Sequence, residues 1–261
     1  IKKLEKLLLY LIKDHRVKDI DEPKFLNNAA LEFPQTAISS LENETKYLFE
    51  NAIFEIVTHA LNIHRSDVLS DMKSKMLIKK SQSEIDIDIR DLYVHKVKTI
   101  YGKILAYAAI AQSELELSKE QHKRISEIKI ANRKMVEIIR DVKELRRNIS
   151  VYTYSDNKYI KKEYNKFRRM VVKVLRAIYL FRIQDDKEVH YEKLMEMRNK
   201  AKENSRMGNK GINNIIRKNL ITTNMASSLV NDHDNVNDMI KKLIEVGELL
   251  YSEKDSILEP V

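Results

Sequence analysis

The chain is predicted to be all-α: tandem three-helix bundles, a six-helix repeat, preceded by a short helix and an extended linker. Three observations predict this. Four Gly and three Pro in 261 residues leave few interruptions, as expected for long helices. Apolar residues recur three and four positions apart along most of the chain. The stretch Met135 to Ile149, MVEIIRDVKELRRNI, has an echo around Asp232 to Leu243, DHDNVNDMIKKL, with matching acidic positions 97 apart (137 to 234, 141 to 238).

Ile1 to Ile12, IKKLEKLLLYLI, sets Leu between Lys residues and reads as an amphipathic segment. Asp19 to Pro34 holds two of the prolines and reads as an extended connector, since proline lacks a donor and biases its predecessor away from helix. Residues 1–34 are therefore an N-terminal segment and linker. A first helix is expected from Gln35 to about Val68, with Thr36 or Ser39 as cap. Polar Ser70 to Ser83 is expected to connect it to a second helix over Glu84 to Glu116. The brief alternation in EIDIDIRD is too short to make a strand.

Ser118 followed three residues later by Gln121 forms a capping box for a third helix, running to about Ile149. Ile128, Met135, Val142 and Ile149, with Ala131, Ile138 and Leu145, follow a heptad and predict a buried seam. After VYTYSDN, a fourth helix runs from Lys158 to Phe181. A fifth starts at Asp185 or Asp186 and reaches Ile216, with Gly208 and Gly211 able to interrupt it. A sixth runs from a cap at Thr222 or Thr223 to about Tyr251. The expected units are 35–152 and 157–252, followed by a tail over 253–261. A repeated three-helix motif closes its own core.

The chain has no Cys, which excludes disulfides, thiolate zinc sites and Cys nucleophiles. No phosphate-cradling glycine loop, nucleophile elbow or HExxH motif is present, so an enzyme is not expected. A net charge of +9 suits an anionic surface, and one reading is a basic helical scaffold binding such a surface. No nucleic-acid-binding signature accompanies the charge, and nucleic acid is not an expected partner. No run reaches the length needed to span a bilayer.

Glu137 with Asp141, and Asp234 with Asp238, each lie four apart and so share a helix face. Carboxylates converging from neighbouring helices suit a hard cation, and a divalent or trivalent metal ion is the expected ligand of these four residues. The plainer alternative is a pair of solvated helix faces. His233, on the apolar stripe, is expected to be a hydrogen-bonded core residue.

These stretches resemble the acidic signature of PhoU-domain proteins, which reads here Val136, Glu137, Ile139, Asp141 and again Asp234, Val236, Asn237, Asp238. The connector PKFLNNAALEFPQTA at 23–37 resembles the linker between the membrane part of bacterial sodium/phosphate cotransporters and their C-terminal PhoU-like domain. RDLYVHKV at 90–97 is similar to that domain's second helix. Arg140 stands where the family usually has a small residue and is expected to pair with a carboxylate.

The resemblance implies a PhoU-like domain at the cytoplasmic face of the cell membrane, cut from a longer chain, regulating or coupling phosphate uptake. Its implied partners are the membrane-spanning part of the same transporter, a signalling protein and further copies of itself. A free-standing PhoU-like regulator of phosphate signalling is the alternative within the same family.

Overall fold

A computed structural model describes residues 22–207 and 210–252. The amphipathic start, the possible break at Gly208 and the tail over 253–261 lie outside them. Among the described residues every regular element is helical, and no helix is long and apolar enough to cross a membrane.

A 3-10 turn at Asn28–Glu32 leads into α1 (Pro34–Leu48), which continues through a π turn (Phe49–Ile53) into α2 (Phe54–Ala60). Two short helices follow, α3 (Arg65–Leu69) and α4 (Ser74–Lys80). Then α5 (Ile89–Leu92) passes through a second π turn (Tyr93–Lys98) into α6 (Thr99–Glu114). The long α7 (Lys119–Tyr152), α8 (Lys158–Ile183), α9 (Lys187–Met207), α10 (Lys210–Arg217) and α11 (Thr223–Tyr251) complete the chain.

Contacts group the chain into two units, Ile1–Ile53 with Asp88–Asn132, and Phe54–Ile87 with Arg133–Val261. The division falls within the α1–α2 continuation and within α7, whereas the sequence placed its boundary between 152 and 157.

In the first unit, α1 packs on α6 and on the 3-10 turn, burying Leu41, Phe49, Ile100, Ile104 and Ile125. The linker is anchored by a buried carboxylate: Glu44 accepts the Phe25 N–H at 2.6 Å. Tyr107 Oη donates to Asn27 O at 3.1 Å. The first helix starts earlier than its expected Thr or Ser cap. Pro34 occupies the first turn, where a missing N–H costs nothing, and Thr36 Oγ1 donates back to Phe33 O at 2.9 Å.

In the second unit, α8, α9 and α11 pack on one another, and α3 and α4 pack on α8. Helix α4 occupies part of the stretch expected to be a connector. Its Leu77 and Ile78 are buried, so packing, which adds apolar contact that a lone seven-residue helix lacks, outweighs weak local propensity. The helix expected from Glu84 starts instead at Ile89, because Asp88 turns its side chain onto the Asp91 N–H at 2.9 Å.

Two helix ends use asparagine in the left-handed region, Asn62 at φ 56° and Asn219 at φ 53°. At the first, the Ile63 N–H reaches Thr58 O at 3.0 Å. At the second, the Leu220 N–H reaches Ile215 O at 3.1 Å. Each is a Schellman ending followed by an apolar residue. Asn tolerates this backbone region better than other non-glycine residues.

Candidate functional site

Helices α7 and α11 carry the acidic stretches, and within the second unit they lie side by side. Every member of the α7 heptad from Ile128 to Ile149 is essentially buried, which leaves the polar residues flanking that stripe to meet α11. Asn235 Nδ2 donates to Asp141 O at 3.0 Å. Lys242 Nζ sits 2.5 Å from Asp141 Oδ2 and 4.0 Å from Glu137 Oε2. Lys134 bridges Glu137 at 3.8 Å and Glu245 at 3.5 Å. The result is a ladder of alternating charge along the helix pair.

This arrangement accounts for the four acidic residues separately. Glu137 and Asp141 share the Lys242 ammonium. Asp234 and Asp238 stay exposed, Asp234 3.3 Å from His233 Nδ1 and Asp238 paired with Lys241. Among the described residues no three His, Asp or Glu side chains gather as a metal site would need, so the two pairs are not brought into one donor set. Arg140 was expected to pair with a carboxylate. Its Nε lies 4.0 Å from Asp141, a long ion pair on the exposed side, and Lys242 makes the close contact because it reaches across from α11. Burial pushes the Asp141 carboxyl up, against the pull of Lys242.

Beside the ladder is a cleft of about 750 Å³, also within the second unit. On one side, α7 presents Arg140, Lys143 and Arg147, spaced to share a helix face. On the other, α11 presents Ser227, Ser228 and Asn231. Tyr152 lies at the C-terminal end, its hydroxyl donating to Ser228 Oγ at 3.3 Å and its ring 4.8 Å from that of Tyr164.

At the floor, the buried Asp232 carboxylate accepts from Tyr164 Oη at 2.6 Å and from Asn148 Nδ2 at 2.8 Å. Burial raises the Asp232 carboxyl, while these two hydrogen bonds pull it down and Glu144 adds a smaller push up. Burial, followed by the hydrogen bond to Asp232 and then the Asp232 charge, holds the Tyr164 hydroxyl well above the usual phenol range. The sequence singled out Arg140, as the partner of a carboxylate, but not Asp232, Tyr164, Lys143 or Arg147. The available signal was the i, i+3, i+7 spacing of Arg140, Lys143 and Arg147 opposite the heptad stripe.

The same unit holds arginines aimed at carbonyls. Arg168, 1% exposed, donates to Leu61 O at 2.7 Å, Asn62 O at 3.0 Å and Ser81 O at 2.6 Å. Burial lowers its guanidinium to about 10, so it remains charged at neutral pH. Arg176 donates to Val68 O at 2.9 Å and Met72 O at 2.8 Å. Arg146 donates to Ala60 O at 3.2 Å and Ile85 O at 2.7 Å. A guanidinium fork suits clustered acceptors, and these three residues tie the chain from 60 to 85 to α7 and α8.

Comparison with known protein families, curated proteins and solved structures found no match to this chain.

Proposed function

We propose that this chain is a regulatory or coupling domain of sodium-dependent phosphate transport, acting at the cytoplasmic face of the membrane on the membrane-spanning part of the same transporter. The observation that carries this reading is the pairing of the two PhoU-like signatures. Though 97 positions apart, they lie on adjacent helices joined by Lys242 and Asp141, as halves of one functional unit would. The linker supports it as well. Its resemblance to a transporter connector is matched by tight anchoring through Glu44 and Tyr107, which suits a segment that transmits position.

Disruption of this chain in its own cells tests the reading, with radiolabelled phosphate uptake measured with and without sodium. The expected result is a changed sodium-dependent component and an unchanged sodium-independent one. Equal sodium-dependent uptake with and without the chain overturns the proposal. Membrane fractionation separates the two forms of the reading: a fused transporter domain sediments with the membrane, whereas a free-standing regulator stays in the soluble fraction.

A further inference from the structure

We propose that the cleft between α7 and α11 is a binding site for a nucleoside di- or triphosphate. Its cationic wall is long. From Arg140 to Arg147 is seven residues, about 10 Å along a helix at 1.5 Å per residue, more than one phosphate group spans. Two linked phosphates meet such a wall with charge-assisted hydrogen bonds, and guanidinium groups favour them through paired N–H donors.

The cations are available for this. Among the described residues, Arg140 has no acid in an ion pair closer than the 4.0 Å of Asp141. Lys143 and Arg147 are exposed and have no ion pair among the described residues. The volume, about 750 Å³, lies within the usual range for small-molecule sites.

The rest of the lining selects an organic ligand over bare polyphosphate. Glu144 stands on the cationic wall and Asp232 at the floor, and both repel an ion that brings only negative charge. A sugar hydroxyl or an exocyclic amine satisfies such acceptors. At the far end, Val151 is 57% exposed beside the Tyr152 ring, an apolar surface on which a base packs. Ser227 and Asn231 supply neutral polar groups on the opposite wall.

The inference stands apart from the transport reading. Nucleotide binding without any effect on phosphate uptake removes only the transport reading, and the converse removes only this one.

Titration calorimetry at physiological ionic strength, with ATP, ADP, AMP, pyrophosphate and inorganic phosphate as separate probes, tests it. ATP and ADP are expected to bind at least about tenfold more tightly than AMP, pyrophosphate or phosphate, the equivalent of one charged hydrogen bond or more. Arg140→Gln with Arg147→Gln is expected to weaken ATP by about a hundredfold or more, the loss of two such bonds. Lys143→Gln is expected to act in the same direction. Lys162→Gln with Lys173→Gln, at exposed positions on α8, leaves affinity unchanged. The replaced arginines are exposed, so unfolding midpoints should match the parent.

Absence of ATP binding at millimolar concentration overturns the site. So does equal weakening by the α8 control pair, which marks a diffuse charge effect. Pyrophosphate binding as tightly as ATP overturns the nucleoside assignment.

Discussion

Lys242 Nζ and Asp141 Oδ2, 2.5 Å apart, join α11 to α7 through a contact almost closed to solvent, with Asp141 only 9% exposed at its side chain. A lysine ammonium thus meets the carboxylate that the sequence assigns to a metal. Removing one partner of a buried pair leaves the other charge uncompensated, which costs more than the pair itself contributes.

Lys242→Met is therefore expected to destabilise the chain by about 3 kcal/mol, read as a lower urea midpoint at constant slope. Asp141→Asn added to Lys242→Met should recover part of that loss, since no charge is then stranded. An unrecovered double variant would mean that the lysine acts through packing alone.

Arg168 is expected to be the most sensitive of the three carbonyl-binding arginines. Arg168→Leu strands the Leu61, Asn62 and Ser81 carbonyls and should cost about 3 kcal/mol. Arg168→Lys should recover only part of it, because an ammonium lacks the planar fork. Hydrogen exchange should show amides across residues 61–81 opening before those of α8 and α11 in both variants.

The capping box offers a smaller and local test. Gln121 N–H meets Ser118 Oγ at 3.2 Å, and Ser118 N–H meets Gln121 Oε1 at 2.9 Å. Ser118→Ala should cost about 1 kcal/mol in thermal or chemical unfolding, and Ser118→Asp almost nothing. Equal losses from Ala and Asp would place the role of Ser118 elsewhere.

Asp232 gives a pH dependence of known sign. Burial raises its carboxyl in the folded chain above the ordinary 3.8, so the folded state keeps its proton after the unfolded chain has lost it. The stabilisation is complete below the unfolded value and is lost as pH rises through the folded one. Compared with the parent, Asp232→Asn should show a flatter stability curve above about pH 4, the ordinary carboxyl range. A parallel curve would show that Asp232 titrates alike in both states.

Local signals in the sequence were sufficient for most of the helices. The Ser118–Gln121 box, the Thr222 cap, whose Oγ1 accepts the Met225 N–H at 3.3 Å, and the buried α7 heptad depend on residues within a few positions, and all are present in the fold. Helix α4 was not legible, because it packs on α8, far away in the chain, with Leu77 and Ile78 buried. The asparagine helix endings were legible in principle, since Asn62 and Asn219 each precede an apolar residue, but Asn also occurs widely in helices and loops.

At the candidate site, the acidic residues were visible and their partner was not. Nothing near Asp141 in the chain points to Lys242, 101 positions away. The arginine contacts to carbonyls near residues 61 and 81 likewise join residues 87 or more positions apart. The cleft needs both α7 and α11 in place before its three cations share one wall with a facing row of hydroxyl and amide groups.

We propose that the α7–α11 pair is a working part of phosphate transport. Sodium-dependent phosphate uptake in cells carrying Lys242→Glu, compared with cells carrying Lys242→Glu together with Asp141→Lys, tests it most directly. The single reversal should shift uptake and the charge swap should return it toward the parent. Uptake identical in the parent, the single variant and the swap, with all three chains present at equal levels, would contradict the account.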